Sequence, residues 1–423
     1  MKALAVQVIR VSLQIGALIA AIWCLLLIDT CAREGRVRPE VPENRYRAWS
    51  RAMDRRPTVR VLLRELDGSR VVTFHSTPPM RLRSGDAAEG ADRRVRGRIR
   101  IRRRSTANGL VVNGRETGDT SLRLTSSKKG GTRVGNRSYR GSFHVFYRSD
   151  GGLRVVNHVP MNRYLWSVLG DEMDLSFPIE ALRAQAIAAR TYALWEMGFQ
   201  QSENQAARYD VRNTVASQVY EGVEKEGDAS RKAVRSTRGL VLIYQNRVLH
   251  AYFHSTCGGR TEHAAEAIGV EERPLPPPLQ GGVACKWDDV SPMHRWTFEL
   301  TSDRLRQTFA EVDAPVRRLT VGDSTSTGRA RNVRIIMREG GTVTLSVEQF
   351  SGAFPGREGI ASNWFRVERR SQGTFRLNGR GWGHGAGMCQ MGAVGAAREG
   401  IPFEDILYYY YPDSTLVFGY GTE

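Results

Sequence analysis

A helix of small side chains, entered directly from a turn that carries a carboxylate, constrains this chain more than any other stretch. Ile179, Leu182, Ala186, Ala189 and Ala193 recur at spacings of three and four, which draws one apolar stripe along a helix. The run Ala184-Gln185-Ala186-Ile187-Ala188-Ala189 is too small-sided for an ordinary surface helix, so it predicts close packing against neighbouring backbone. Pro178 suits the first helical position, where its missing N–H has no intrahelical partner. Glu180 suits the positive end of the helix dipole. Upstream, Tyr164, Leu165, Val168 and Leu169 form a second, short helical face that Gly170 can end. Glu172 then falls in a tight helix–helix connection held from both sides, a good way to fix a catalytic carboxylate.

Further motifs follow in order along the chain. Asp210 precedes Ser217-Gln218-Val219-Tyr220-Glu221-Gly222, and Ala251-Tyr252-Phe253-His254-Ser255-Thr256-Cys257-Gly258-Gly259-Arg260-Thr261 comes next. A glycine-rich stretch, Gly379-Arg380-Gly381-Trp382-Gly383-His384-Gly385-Ala386-Gly387-Met388-Cys389-Gln390, is followed by the tyrosine run Tyr408 to Tyr411. Together with Glu172-Met173 and the segment Pro178 to Tyr192, this series resembles the stage II sporulation protein D family, also called the SpoIID/LytB domain. The resemblance runs from about Pro57 to nearly the C-terminus. It implies a peptidoglycan lytic transglycosylase with Glu172 as its single catalytic glutamate.

The ends and the charge bear on where such a protein works. Lys2 and Arg10 precede an apolar run from Val11 to Ile28, which approaches a membrane span and exceeds the usual signal-peptide core. Residues 1–29 therefore read as a signal-anchor, with a cleaved signal peptide as the alternative. Residues 30–56, with Arg33, Arg36 and Arg38, read as a linker, and 57–423 as the catalytic domain. This places the chain in the cell envelope, on the outer face of the cytoplasmic membrane. Much of the net charge of +18 sits in the run Arg93 to Arg104. Val95, Ile99 and Ile101 give that run strand-like alternation, and no aromatic residues are interleaved for base stacking. A nucleic-acid partner is thus disfavoured against an envelope polyanion or a solvated strand face.

The remainder reads as an α+β fold: one large mixed domain with room for two lobes. Short β-branched runs such as Val59 to Leu63 and Phe143 to Tyr147 alternate with turn residues up to Val159. A helical block spans about Asn162 to Gly198, and strands are expected at Gly239–Tyr244 and Val248–His254. Pro274 to Pro278 forms a proline-rich loop, Asp303 to Val312 a helix, and Val333–Met337 and Thr342–Val347 two strands.

Candidate site residues follow from the motifs. Glu172 would need a raised pKa to start protonated, and burial near Met173 and Leu175 with repulsion from Asp171 and Asp174 could supply it. Arg190 either orients a substrate carboxylate or makes a structural ion pair. Gln218 and Tyr220 either hydrogen-bond sugar hydroxyls or satisfy the core, while Trp382 and His384 suit a substrate cleft. His254, Cys257 and Cys285, with His263 or Asp288 as a fourth ligand, form a candidate zinc site. A zinc near this position occurs in some members of the resembling family, and its role here would be structural, with no cofactor required for the chemistry. A Cys257–Cys285 disulfide is the rival reading, and Cys389 reads as a buried small hydrophobe. The partners implied are glycan strands of peptidoglycan, the membrane through the N-terminal helix, and a cell-wall amidase. In the alternative function the chain makes no bonds itself, but binds peptidoglycan and activates such an amidase.

Overall fold

The computed structural model describes residues 57–85, 93–104, 109–126, 130–148, 150–203, 208–269 and 275–420. The anchor and linker expected over residues 1–56 lie outside the described residues. No helix among the described residues is long and apolar enough to cross a membrane.

The chain forms a mixed α and β fold with several sheets. In the largest, β1 (Thr58–Leu62), β2 (Val71–Ser84), β3 (Arg93–Arg103), β4 (Leu110–Val112), β5 (Arg115–Glu116), β6 (Ser121–Ser126), β7 (Thr132–Val134), β8 (Arg137–Tyr139), β9 (Ser142–Tyr147), β10 (Leu153–Pro160) and β11 (Val211–Arg212) come together. Their order is β11-β1-β10-β9-β6-β2-β3-β4-β5, with β7 against β2 and β8. The basic run is a strand, β3, and its period-two alternation sorts the side chains. Ile99 and Ile101 are buried, while Arg94, Arg96, Arg98, Arg100 and Arg102 face outward.

Two helices follow the sheet, α1 (Met161–Glu172) and α2 (Ile179–Glu203). The expected stop at Gly170 is not there: α1 runs two residues further and ends at Glu172, with Met173 donating back to Leu169 O. Gly170 has a different purpose. A Cβ on it would lie 2.0 Å from Lys225 O, so glycine lets that backbone cross the helix. The small face of α2 behaves as its composition requires: Ala181, Ala184, Ala186, Ala188, Ala189 and Ala193 are fully buried. That face meets α1, α3 (Asp228–Ser236), and two further helices defined below.

Beyond α2, β12 (Leu240–Tyr244) pairs with β13 (Arg247–Val248), and the expected strand Val248–His254 is interrupted. Its far end survives as β14 (Phe253–His254), and α4 (Ala264–Ile268) follows. Residues Met293 to Leu377 then build a separate hydrophobic core of their own. It is enclosed by β15 (Trp296–Thr301), α5 (Ser302–Thr308), β16 (Val316–Val321), β17 (Asn332–Met337), β18 (Thr342–Ser346), α6 (Val347–Gly352), β19 (Phe365–Ser371) and β20 (Thr374–Gly379). Helix α5 stops at Thr308, short of the expected Val312. The chain returns through β21 (Met388–Cys389), α7 (Gln390–Arg398), α8 (Phe403–Tyr410) and β22 (Thr415–Phe418). Strand β21 runs parallel to β14, placing Cys389 opposite His254. Helices α7 and α8 both pack on α2.

Candidate active site and thiol cluster

Glu172 stands at the last position of α1, facing the loop between β11 and α3. Three amides of that loop dock on the helix end in succession. Val219 N–H donates to Glu172 Oε1 at 3.0 Å, Glu221 N–H to Asp171 Oδ2 at 2.8 Å, and Gly222 N–H to Ser167 Oγ at 2.9 Å. Ser167 in turn donates to Asp171 Oδ2 at 3.1 Å. Each carboxylate is thus fixed by a backbone amide of the docking loop, with Ser167 adding a side-chain bond to Asp171.

Burial raises the Glu172 pKa above the ordinary carboxylate range, and the Asp171 charge adds to it. The Val219 amide and the Gln390 side chain, which approaches from α7, oppose that rise. Burial likewise lifts Asp171 to about 6, with the nearby Glu221 charge pushing the same way. Asp174 takes no part. It is exposed, accepts from Ser176 N–H at 2.9 Å and lies below the usual carboxylate range because of that bond. Gln390 is the residue here that sequence reasoning missed. Its place at the end of the Gly379–Gln390 motif was the available signal.

Three of the expected substrate contacts are interior residues. Arg190 is fully buried, and its guanidinium donates to Tyr420 Oη at 3.1 Å, Leu240 O at 3.1 Å and Val234 O at 3.4 Å. Among the described residues it pairs with no carboxylate, so the structural ion pair expected as its alternative role is not formed. Gln218 accepts from Tyr164 Oη at 2.9 Å and donates to Ala189 O at 3.1 Å, clamping α1 to α2. Tyr220 donates to Asn157 Oδ1 at 2.8 Å beneath the large sheet. All three side chains bond within the core, the alternative that the sequence left open for Gln218 and Tyr220.

The glycine-rich stretch is divided between surface and interior. Trp382 is 37% exposed, while its backbone pairs with Thr256. His384 Nδ1 accepts from Ala386 N–H at 3.0 Å, so Nε2 carries the proton, and desolvation lowers its pKa to about 4. It is a neutral imidazole. The neighbouring His254 has the opposite tautomer, with Nδ1–H donating to Ala386 O at 3.0 Å.

The thiols gather largely as expected, with one exchange of ligand. Cys257, Cys285, Asp288 and Cys389 are all buried, and their ligand atoms lie within 4.8 Å of one another. Asp288 is the fourth member that the sequence offered, whereas His254 and His263 lie outside the group. Cys389 stands where His254 was expected, because the parallel β14–β21 bridge delivers it from a distant part of the chain. Cys389 is buried as expected and also brings its thiol into the group. The three cysteines are free thiols, without the Cys257–Cys285 disulfide. Asp288 Oδ2 accepts from Cys257 Sγ at 3.2 Å, Gly258 N–H at 2.6 Å and Gly259 N–H at 3.2 Å. Oδ1 faces His294 Nδ1 at 3.0 Å. Donation from Cys257, Cys389 and Tyr410 draws the Cys285 thiol down to about 3, and burial pushes the other two up. Three sulfurs and one carboxylate oxygen, with a histidine behind the carboxylate, form a donor set that fits tetrahedral zinc.

The chain belongs to the stage II sporulation protein D family. A family model described as stage II sporulation protein matches residues 149–244, which include α1, Glu172, α2 and the docking loop. A second model, a domain of unknown function (DUF8618), matches residues 285–387, over the separate core. The chain is 31% identical to the stage II sporulation protein D of Bacillus subtilis over 60% of this chain and 74% of that one. It is 32% identical to an uncharacterized protein of Brachyspira hyodysenteriae, over 72% and 78% of the two chains. Similarity to the amidase enhancer of Bacillus subtilis is 26% identity over 60% of this chain and 40% of that protein.

Proposed function

We propose that this protein works on the cell wall of the envelope as a lytic transglycosylase, with Glu172 as acid and then base. The observation that carries the reading is a carboxyl at a helix end, oriented by the Val219 amide and raised in pKa by burial. Protonated Glu172 gives its proton to the oxygen linking N-acetylmuramic acid to N-acetylglucosamine as the C–O bond breaks toward an oxocarbenium-like state. The carboxylate left behind takes the proton of the muramic acid 6-hydroxyl as that oxygen bonds to the anomeric carbon. The proton returns to Glu172, a 1,6-anhydro end forms, and no water is consumed. Glycosidases that use water need a second carboxylate to place or replace it; an internal nucleophile removes that need. Asp171 serves this site as a positioning residue, and Trp382 offers an exposed face on which a sugar ring can stack.

Zinc held by Cys257, Cys285, Cys389 and Asp288 would supply a structural tie between the β14 loop, the Cys285 loop and the start of α7. An N-terminal anchor over residues 1–29 would keep the domain at the outer face of the cytoplasmic membrane.

Anhydro-muramyl products from purified, peptide-stripped sacculi test the catalytic reading. The wild type should release them, and Glu172→Gln, which keeps shape and loses the titratable proton, should fall by several orders of magnitude. A Gln variant cleaving at the wild-type rate would remove Glu172 from the acid's role. The similarity to an amidase enhancer favours a second reading, in which the protein binds glycan and stimulates an amidase. Stimulation that survives Glu172→Gln, with no anhydro product from either form, would select it.

A further inference from the structure

The separate core carries a pocket that the chemistry above does not use. It has a volume of about 590 Å³, within the ordinary range for a small-molecule site. Its floor is the sheet β15-β20-β19, where Thr297 and Arg366 both lie opposite Asn378. Gly379 makes the pocket possible. A Cβ there would sit 2.1 Å from the Trp296 ring, so glycine lets the indole lie across the strand and donate to Gly381 O at 2.9 Å. Arg380 then turns over Trp364, 5.1 Å from the ring centroid.

Arg295, Arg366 and Arg380 line this one pocket, and all three are exposed. Among the described residues none of the three forms a salt bridge. Arg295 donates only to the carbonyls of Gly258 and His294; burial and then the Arg380 charge disfavour its charged form, with Asp288, outside the pocket lining, opposing them. Among the described residues no carboxylate lines the pocket; on the strand beside it Glu368 accepts from Asn378 Nδ2 at 3.2 Å and is paired with Arg370 at 2.8 Å. Like charges gathered in a pocket that no carboxylate lines cost free energy that a bound anion offsets. Guanidinium forks match a carboxylate bidentately, while Thr297, Thr327 and Asn378 beside them suit sugar hydroxyls.

We propose that this pocket binds an acidic sugar unit of a glycan strand, a pyranose whose free carboxylate is held by Arg366 and Arg380. The proposal rests on the reading that glycan is the substrate, and it gives the Cys285–Gly387 region a role in gripping strands from which the peptide has been removed. Such strands expose one lactyl carboxylate per disaccharide; an attached peptide consumes it in an amide.

Titration calorimetry on the full chain, in a Glu172→Gln background so that no strand is cut, tests this with four probes. They are a peptide-free oligosaccharide of alternating N-acetylglucosamine and N-acetylmuramic acid, a chito-oligosaccharide of equal length, the peptide-bearing strand, and poly(glycerol phosphate). The carboxylated strand should bind at least tenfold more tightly than each of the others. Arg366→Gln, a surface change, should weaken that preference, and Arg366→Gln with Arg380→Gln should abolish it with the circular dichroism unaltered. Arg96→Gln with Arg98→Gln, which removes the same charge from β3, should leave it intact. Equal binding of the neutral or peptide-bearing strand, tighter binding of the phosphate polymer, or a preference that survives the double variant would each overturn the proposal. Cleavage by wild-type protein together with unchanged binding by the pocket variants would sink the pocket alone. Loss of the catalytic reading with the preference retained would leave the pocket standing.

Discussion

Asp171 and Glu172 are adjacent in sequence, and each receives a backbone amide from the same loop, Glu221 N–H on Asp171 and Val219 N–H on Glu172. Their protonation is therefore linked. Ionised Asp171 helps raise Glu172, although burial is the larger cause.

Asp171→Asn should lower the Glu172 pKa, because the neighbouring charge is gone while an amide oxygen can still accept from Glu221 N–H. An acid that must begin protonated loses activity as pH rises through its pKa. The descending limb of the pH–rate profile on stripped sacculi should thus move to lower pH in the variant. A limb that stays in place would show that the two groups do not communicate.

The same residue makes a stability prediction. Asp171 has a folded pKa of about 6, raised above its unfolded value, so the folded state binds more protons between roughly pH 4 and 6. Stability should fall as pH rises through that window, by on the order of 2–3 kcal/mol from this group at most. Melting temperature against pH should flatten across the same window in Asp171→Asn.

Arg190→Leu should damage the fold and leave substrate affinity alone in whatever fraction folds. The guanidinium satisfies two carbonyls and the Tyr420 hydroxyl in a fully buried position, so its loss strands three partners. A cost of about 2–5 kcal/mol is expected. Denaturant unfolding measures it, and a KM effect without a stability loss would return Arg190 to the substrate.

The helical hairpin around Glu172 was legible because its signals are local: the alanine run, Pro178 and the spacing of Leu182 with Ala186. What lay outside local patterns was the fate of polar side chains. Gln218, Tyr220 and Arg190 belong to family motifs, yet motif membership does not distinguish a residue that touches sugar from one that holds two helices together. In the thiol cluster Cys257, Cys285 and Asp288 were legible, and Cys389 in place of His254 was not, for a topological reason. Cys257 and Cys389 meet because strands of two residues each, β14 and β21, run side by side, and no spacing rule reaches across that separation. The basic run was legible because alternation alone assigns its faces.

Glu262 and Arg329, both fully buried, form the connection between the separate core and the rest of the fold. Arg329 Nη2 donates to Cys257 O at 2.9 Å and to Arg260 O at 3.2 Å, and its Nε lies 3.7 Å from Glu262 Oε2. Glu262 also accepts from Thr325 Oγ1 at 2.6 Å and from Thr327. Arg329→Met leaves a buried carboxylate without its counter-charge, and breaking a buried pair from one side costs about 3–5 kcal/mol. Adding Glu262→Gln should recover part of that loss, since it removes the stranded charge and keeps an acceptor for the two threonines. A double variant no more stable than Arg329→Met would mean that the guanidinium acts through the Cys257 and Arg260 carbonyls alone.

The thiol cluster yields the last test. With zinc bound, purified protein should contain about one equivalent of metal, and Cys257, Cys285 and Cys389 should resist thiol reagents until a chelator is added. Cys389→Ser should reduce metal content far more than His254→Ala, because Cys389 is in the group and His254 is beside it. Chelation should lower the melting temperature by several degrees, since the metal would tie together segments that otherwise meet through two-residue strands and isolated bridges. The pH dependence set by Glu172 should survive wherever the protein stays folded, as no atom of the cluster bonds to that carboxylate. Metal content unchanged in Cys389→Ser but lost in His254→Ala would restore the histidine-ligated site that the sequence spacing predicted.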